Sequence, residues 1–87
     1  MKSIWKADYE GCTILIENTW FSGEKLFVDN QLQDFQKTYY VTPKLTGHLF
    51  NRNNERLSIK ANFIATLLFV DCVLFVDDKQ VALQKIK

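Results

Sequence analysis

The residues able to do chemistry are few in this 87-residue chain. The single histidine, His48, stands in Leu45-Thr46-Gly47-His48-Leu49-Phe50 with no cysteine or aspartate at metal-ligand spacing. A histidine inside an apolar strand reads as a hydrogen-bonded structural residue before it reads as a base or a ligand. Cys12 and Cys72 lie far apart in the sequence, match no zinc spacing and carry no flanking pattern of a catalytic thiol. They read as buried thiols, with a Cys12–Cys72 disulfide as the alternative. No G-x-S-x-G elbow occurs, and three glycines could hardly build a phosphate-binding loop. Asp29, Asp71, Asp77 and Asp78 could gather at one end of a sheet and hold a hard cation such as calcium. Aspartates in turns usually cap their own backbone, so the expectation is no metal, no cofactor and no catalytic residue. With no set of nucleophile, base and stabiliser, the chain is expected not to be an enzyme.

Two binding patterns remain. Arg52, Arg56 and Lys60 cluster on the polar side of one hairpin near Phe50. Small β-barrels bind single-stranded nucleic acid with basic residues beside exposed aromatics. The net charge of +1 gives no field that would draw the whole molecule to a polyanion, so nucleic acid ranks second. The other pattern is aromatic. Trp20 and Phe21 fall in a loop, where large aromatics often mark contact points. Phe69 and Phe75, with Val73, make one strand face more apolar than a solvent face requires, and Phe27 could join them. The preferred function is therefore non-catalytic protein binding, to a protein partner or in a homodimer, through Trp20, Phe21, Phe27, Phe69 and Phe75.

The elements that must position these residues read as strands, because aromatic and β-branched residues fill the periodic stretches. In Ser3–Tyr9, Trp5, Ala7 and Tyr9 point one way and Ile4, Lys6 and Asp8 the other. Glu10-Gly11 makes a tight turn into Cys12–Glu17, with Cys12, Ile14 and Ile16 on one face. Lys25–Val28 is followed by a turn at Asp29-Asn30 and a polar, edge-like strand over Gln31–Tyr40. Leu45–Phe50 and Arg56–Phe63 form a hairpin around Asn51–Glu55, with Leu57, Ile59, Ala61 and Phe63 facing one way. The apolar run over residues 64–76 is read as strand, closed by Asp77-Asp78, with Lys79–Ile86 returning from that turn. The expected fold is all-β: one domain over residues 1–87, an antiparallel β-sandwich or flattened barrel of about 7–8 short strands.

One tetrapeptide occurs twice. Leu26-Phe27-Val28-Asp29 and Leu74-Phe75-Val76-Asp77 each supply an apolar arm and a turn. The chain could therefore be two similar halves, or the match could be coincidence among β-formers. In either case Leu26, Val28, Leu74 and Val76 are expected in the core, with Phe27 and Phe75 pointing the other way.

The order of Thr19-Trp20-Phe21-Ser22-Gly23, Leu26-Phe27-Val28-Asp29, Leu45-Thr46-Gly47, Leu57-Ser58-Ile59 and Leu74-Phe75-Val76-Asp77 resembles the β-sandwich domain of the Fas apoptotic inhibitory molecule type. Asn30 and Asp78 stand where that pattern has glycine after each Val-Asp. The resemblance implies an intracellular, non-enzymatic interaction domain and transfers no catalytic residue. The start, MKSIWKADYEG, lacks the apolar run of a secretory signal. The longest apolar region is short for a membrane span and contains Asp71. The expected setting is cytoplasmic, with no membrane partner.

Overall fold

Three two-residue turns set the architecture. Glu10-Gly11, Asp29-Asn30 and Asp77-Asp78 all have positive φ at both positions, from 44° at Glu10 to 85° at Gly11. Paired left-handed residues give the turn whose twist matches that of antiparallel strands. Gly11 meets this demand without a Cβ penalty, and Asn and Asp tolerate it through local side-chain bonding. The computed structural model describes residues 2–19, 23–37, 44–65 and 70–87.

Within them the chain forms nine strands: β1 (Lys2–Tyr9), β2 (Cys12–Thr19), β3 (Gly23–Val28), β4 (Gln31–Gln36), β5 (Lys44–Phe50), β6 (Arg56–Ala65), β7 (Val70–Val76), β8 (Lys79–Val81) and β9 (Gln84–Lys85). They make two antiparallel sheets, ordered β4-β3-β2-β1-β9 and β5-β6-β7-β8. The all-β sandwich read from the sequence is the fold observed. Its inner faces hold a core that draws on both sheets: Trp5, Ile14, Ile16, Leu26 and Val28 from one, Leu45, Leu49, Ile59, Phe63, Leu74 and Val76 from the other. Each such side chain contributes roughly 1.5–3 kcal/mol by leaving water. Trp5 and Phe63 meet edge to face across the sandwich, centroids 5.8 Å apart, a favoured aromatic geometry.

Two readings of the sequence need correction. The apolar run over residues 64–76 is not one strand: β6 ends at Ala65, which pairs with Val70 of β7. Ile64 is apolar although it is exposed, so no charged residue separates the two arms in the sequence and the reversal is hidden. Lys79–Ile86 is also divided. Val81 pairs with Leu74 in the four-stranded sheet, whereas Lys85 pairs with Trp5 in the five-stranded one. Val81 and Leu83 both pack on the core, so the chain crosses between sheets over Ala82-Leu83.

On the opposite side of the sandwich, β4 of one sheet lies beside β5 of the other. Leu26 pairs with Asp34 and Phe27 with Leu32, leaving Gln33 as an extra residue, a β-bulge. Gln33 and Asp34 both reach across to β5. Gln33 Oε1 accepts the His48 N–H at 3.3 Å, and Asp34 Oδ2 accepts the Thr46 N–H at 2.9 Å. Bare edge amides invite pairing with other chains, and these two side chains occupy them.

The repeated tetrapeptide takes equivalent places, the third strand of each four-strand meander (β1–β4 and β5–β8). The N–H of Asp29 donates to Thr13 O and that of Asp77 to Ser58 O, both at 2.9 Å. Leu26, Val28, Leu74 and Val76 are buried, as expected.

Candidate functional site

The outer faces of the two sheets differ in chemistry. On the five-stranded sheet, register puts Leu15, Phe27 and Leu32 side by side across β2, β3 and β4. The next row carries Glu17, Lys25 and Phe35. Leu32 is 55% exposed and Phe35 is 45% exposed. The Lys25 ammonium lies 5.8 Å from the Phe35 ring centre, a cation–π distance. The result is an apolar patch on three adjacent strands, flanked by Lys6, Asp8, Glu17 and Lys25. Lys2 and Glu17 pair at 3.5 Å at its margin.

The bulge creates this patch. In a regular strand Leu32 and Phe35 would face opposite ways, because they are an odd number of residues apart. The extra residue turns Gln33 and Asp34 inward together and leaves Leu32 and Phe35 on the same outer face. Alternation reads Gln31–Tyr40 as a polar edge strand and so misses both residues, as well as Leu15. The available signal was the pair Gln33-Asp34 between two large apolar residues.

The four-stranded sheet presents mostly polar groups: Lys44, Thr46 and His48 on β5, Arg56, Ser58, Lys60 and Asn62 on β6. Its exposed apolar residues Phe50 and Ile64 sit at opposite ends of the sheet, paired with Arg56 and Asp71 respectively. Phe75 is half-buried in a row between Lys60 and Gln80.

The sequence-derived contact residues therefore do not form one group. Phe27 and Phe75 lie on the outer faces of different sheets, on opposite sides of the core, so Phe27 cannot extend a face built on Phe75. Trp20, Phe21 and Phe69 lie outside the described residues. Of the basic cluster, Arg56 and Lys60 share the outer face of β6 and Arg52 lies in the hairpin turn. Asn51 ties that turn down, its Oδ1 accepting the N–H groups of Asn53 and Glu55 at 2.9 Å each. Lys60 is engaged by Asp78 at 3.2 Å. Arg56 approaches His48 Nδ1 at 3.5 Å, and the His48 ring meets Phe50 edge to face.

No three His, Cys, Asp or Glu side chains among the described residues converge to hold a metal ion. The four aspartates weighed above are dispersed: Asp71 lies in β7 near its start, Asp77 and Asp78 follow its far end, and Asp29 follows β3 in the other sheet. Both cysteines are free. Cys12 shares a cleft with Asp29 and His48, but desolvation and the Asp29 carboxylate raise its thiol above the usual range. Burial pushes Cys72 up to about 12. A nucleophilic thiol needs the opposite shift.

One buried polar pair stands apart. Asn18 and Glu24 face each other on β2 and β3 at the inner surface, Nδ2 donating to Oε1 at 2.9 Å. Among the described residues, Asn18 Oδ1 and Glu24 Oε2 have no hydrogen-bond partner. Desolvation raises the Glu24 carboxyl above its ordinary range, since burial disfavours the charged form.

No helix among the described residues is long and apolar enough to cross a membrane. No protein-family model, curated protein or solved structure matches the chain.

Proposed function

We propose that the chain is a non-catalytic protein-interaction domain whose contact surface is the outer face of the five-stranded sheet. The carrying observation is the contiguous patch of Leu15, Phe27, Leu32 and Phe35, with its two most exposed members on the edge strand β4. Single exposed apolar residues are ordinary, and Phe50 and Ile64 on the other sheet fit that description. Four on three neighbouring strands, rimmed by charge, form the kind of surface that proteins bury against one another. The cytoplasmic, intracellular setting is part of this proposal and rests on the resemblance to the Fas apoptotic inhibitory molecule type.

A second copy of the chain is the occupant the surface suits best. A two-fold interface must be self-complementary. This face carries both signs, Lys6 and Lys25 with Asp8 and Glu17, so stacked copies can set each lysine toward an acid of the other. Five strands span about 20 Å, and six residues along a strand span about the same, so each copy covers on the order of 400 Å². Interfaces of that size are weak. The dimer should form at high micromolar concentration. Amide spectra across a concentration series should shift at Leu15, Phe27, Leu32 and Phe35 and stay fixed on β5–β7. Shifts centred instead on β6 and β7 would remove this face from the proposal.

Single-stranded nucleic acid is less favoured. A strand needs a track of phosphate contacts. Beyond Arg56, the next cation on β6 is paired with Asp78, and the neighbouring strand carries Asp71 and runs into the turn at Asp77.

A further inference from the structure

The Arg56 guanidinium has no carboxylate partner among the described residues. Its neighbour is instead an imidazole, at 3.5 Å from Nδ1. An arginine can only donate, so in this contact His48 Nδ1 is the side facing a donor, and the rest of the ring is left for another partner. Ser58 pairs directly with His48 across the strands and adds a hydroxyl. These three side chains and the Gly47 backbone line a dent of about 200 Å³ on the outer face of the four-stranded sheet. Gly47 adds only backbone to the lining, because a side chain there would point inward at Leu26 and Gln33.

We propose that this dent binds a single phosphate group, as inorganic phosphate or a small phosphomonoester. Guanidinium geometry matches two phosphate oxygens at once, and the Ser58 hydroxyl can donate to a third, with the His48 ring beside it. A tetrahedral dianion with several acceptor oxygens needs such a convergence of donors. Of the nearby acids, one is paired with a cation. Glu55 accepts from Asn51 Nδ2 at 3.1 Å, and Asp78 is held by Lys60. Asp77, beside Ser58, and Glu55, next to Arg56 and bonded only to a neutral amide, are the groups whose charge opposes an anion here. Arg56 is the one permanent cation among the described lining residues, so the site takes one phosphate rather than a chain of them. It lies on the sheet opposite the proposed contact face and does not depend on it.

The test is an amide-spectrum titration of the intact chain with inorganic phosphate and with phenyl phosphate, against chloride at equal ionic strength. Saturable shifts confined to Gly47, His48, Arg56 and Ser58, with a midpoint in the low millimolar range, are expected for both phosphates. Arg56→Gln should raise the midpoint tenfold or more. Ser58→Ala should raise it a few-fold, Asp77→Asn should lower it, and Lys6→Gln on the other sheet should leave it unchanged. Unchanged amide spectra elsewhere verify that each variant is folded. Equal shifts with chloride, or an Arg56→Gln midpoint equal to wild type, would overturn the proposal. So would an oligonucleotide whose affinity rises steadily with length, which would make the surface a strand track.

Discussion

The buried pair Asn18–Glu24 gives the sharpest expectation for a single residue. Both side chains present an acceptor atom that lacks a donor among the described residues, and an unmet buried polar group costs about 1–3 kcal/mol. A proton on Glu24 Oε2 makes that atom a donor, consistent with the raised carboxyl. The native state therefore holds this proton to higher pH than the unfolded chain does. As pH rises through the unfolded carboxylate range, the unfolded chain loses its proton first and stability falls, reaching its lower level once the native carboxyl has also ionised. Glu24→Gln removes the ionisation and supplies an N–H in place of Oε2. It should stabilise the protein by on the order of 1 kcal/mol at neutral pH, and the difference from wild type should shrink in acid. Thermal melts from pH 3 to 8 measure this, and a variant less stable than wild type at pH 7 would contradict it. Sequence alone gave no access to this pair. Asn18 continues the inward face of Cys12, Ile14 and Ile16, but its partner is set by the β2–β3 register, which no local pattern reveals.

Among the elements, the bulged strand β4 has the widest effect. One extra residue seals the edge of the neighbouring sheet with Gln33 and Asp34 and places Leu32 and Phe35 on the outer face. Asp34→Ala should free the Thr46 amide, shown bonded to Oδ2 at 2.9 Å. Its hydrogen exchange should quicken markedly while that of His48, held by Gln33, changes less. Loss of one such bond costs about 1 kcal/mol, and the bared edge should increase aggregation on heating. Equal exchange at Thr46 in variant and wild type would show that the edge is closed by something else. Period-2 patterning was enough to find the inner faces of β1, β2, β3 and β6, because each alternates regularly between core and solvent. It failed where the period is broken by a bulge, where two arms meet without a charged break near Ala65, and where the chain changes sheets at Ala82-Leu83.

For the molecule as a whole, burial divides the surface into two faces of different character. The five-stranded sheet has an apolar patch with charges of both signs, and the four-stranded sheet has polar groups and a dent lined by His48, Arg56 and Ser58. The repeated Leu-Phe-Val-Asp segments show why sequence could not make this division. Each segment puts its Leu and Val in the core and its Phe outside, so the two phenylalanines look alike in sequence. The outer faces of the two sheets point away from one another, and the neighbours differ: Phe27 joins Leu15 and Leu32, whereas Phe75 lies between Lys60 and Gln80. Static light scattering over a concentration series tests the central claim most directly. Wild type should rise from the 10.2 kDa monomer toward twice that mass at high micromolar concentration. The double variant Leu32→Lys, Phe35→Lys should remain a folded monomer throughout, and Phe50→Lys on the other sheet should behave as wild type. A wild-type mass that stays monomeric at millimolar concentration, or a double variant that associates as wild type does, would contradict self-association through this face.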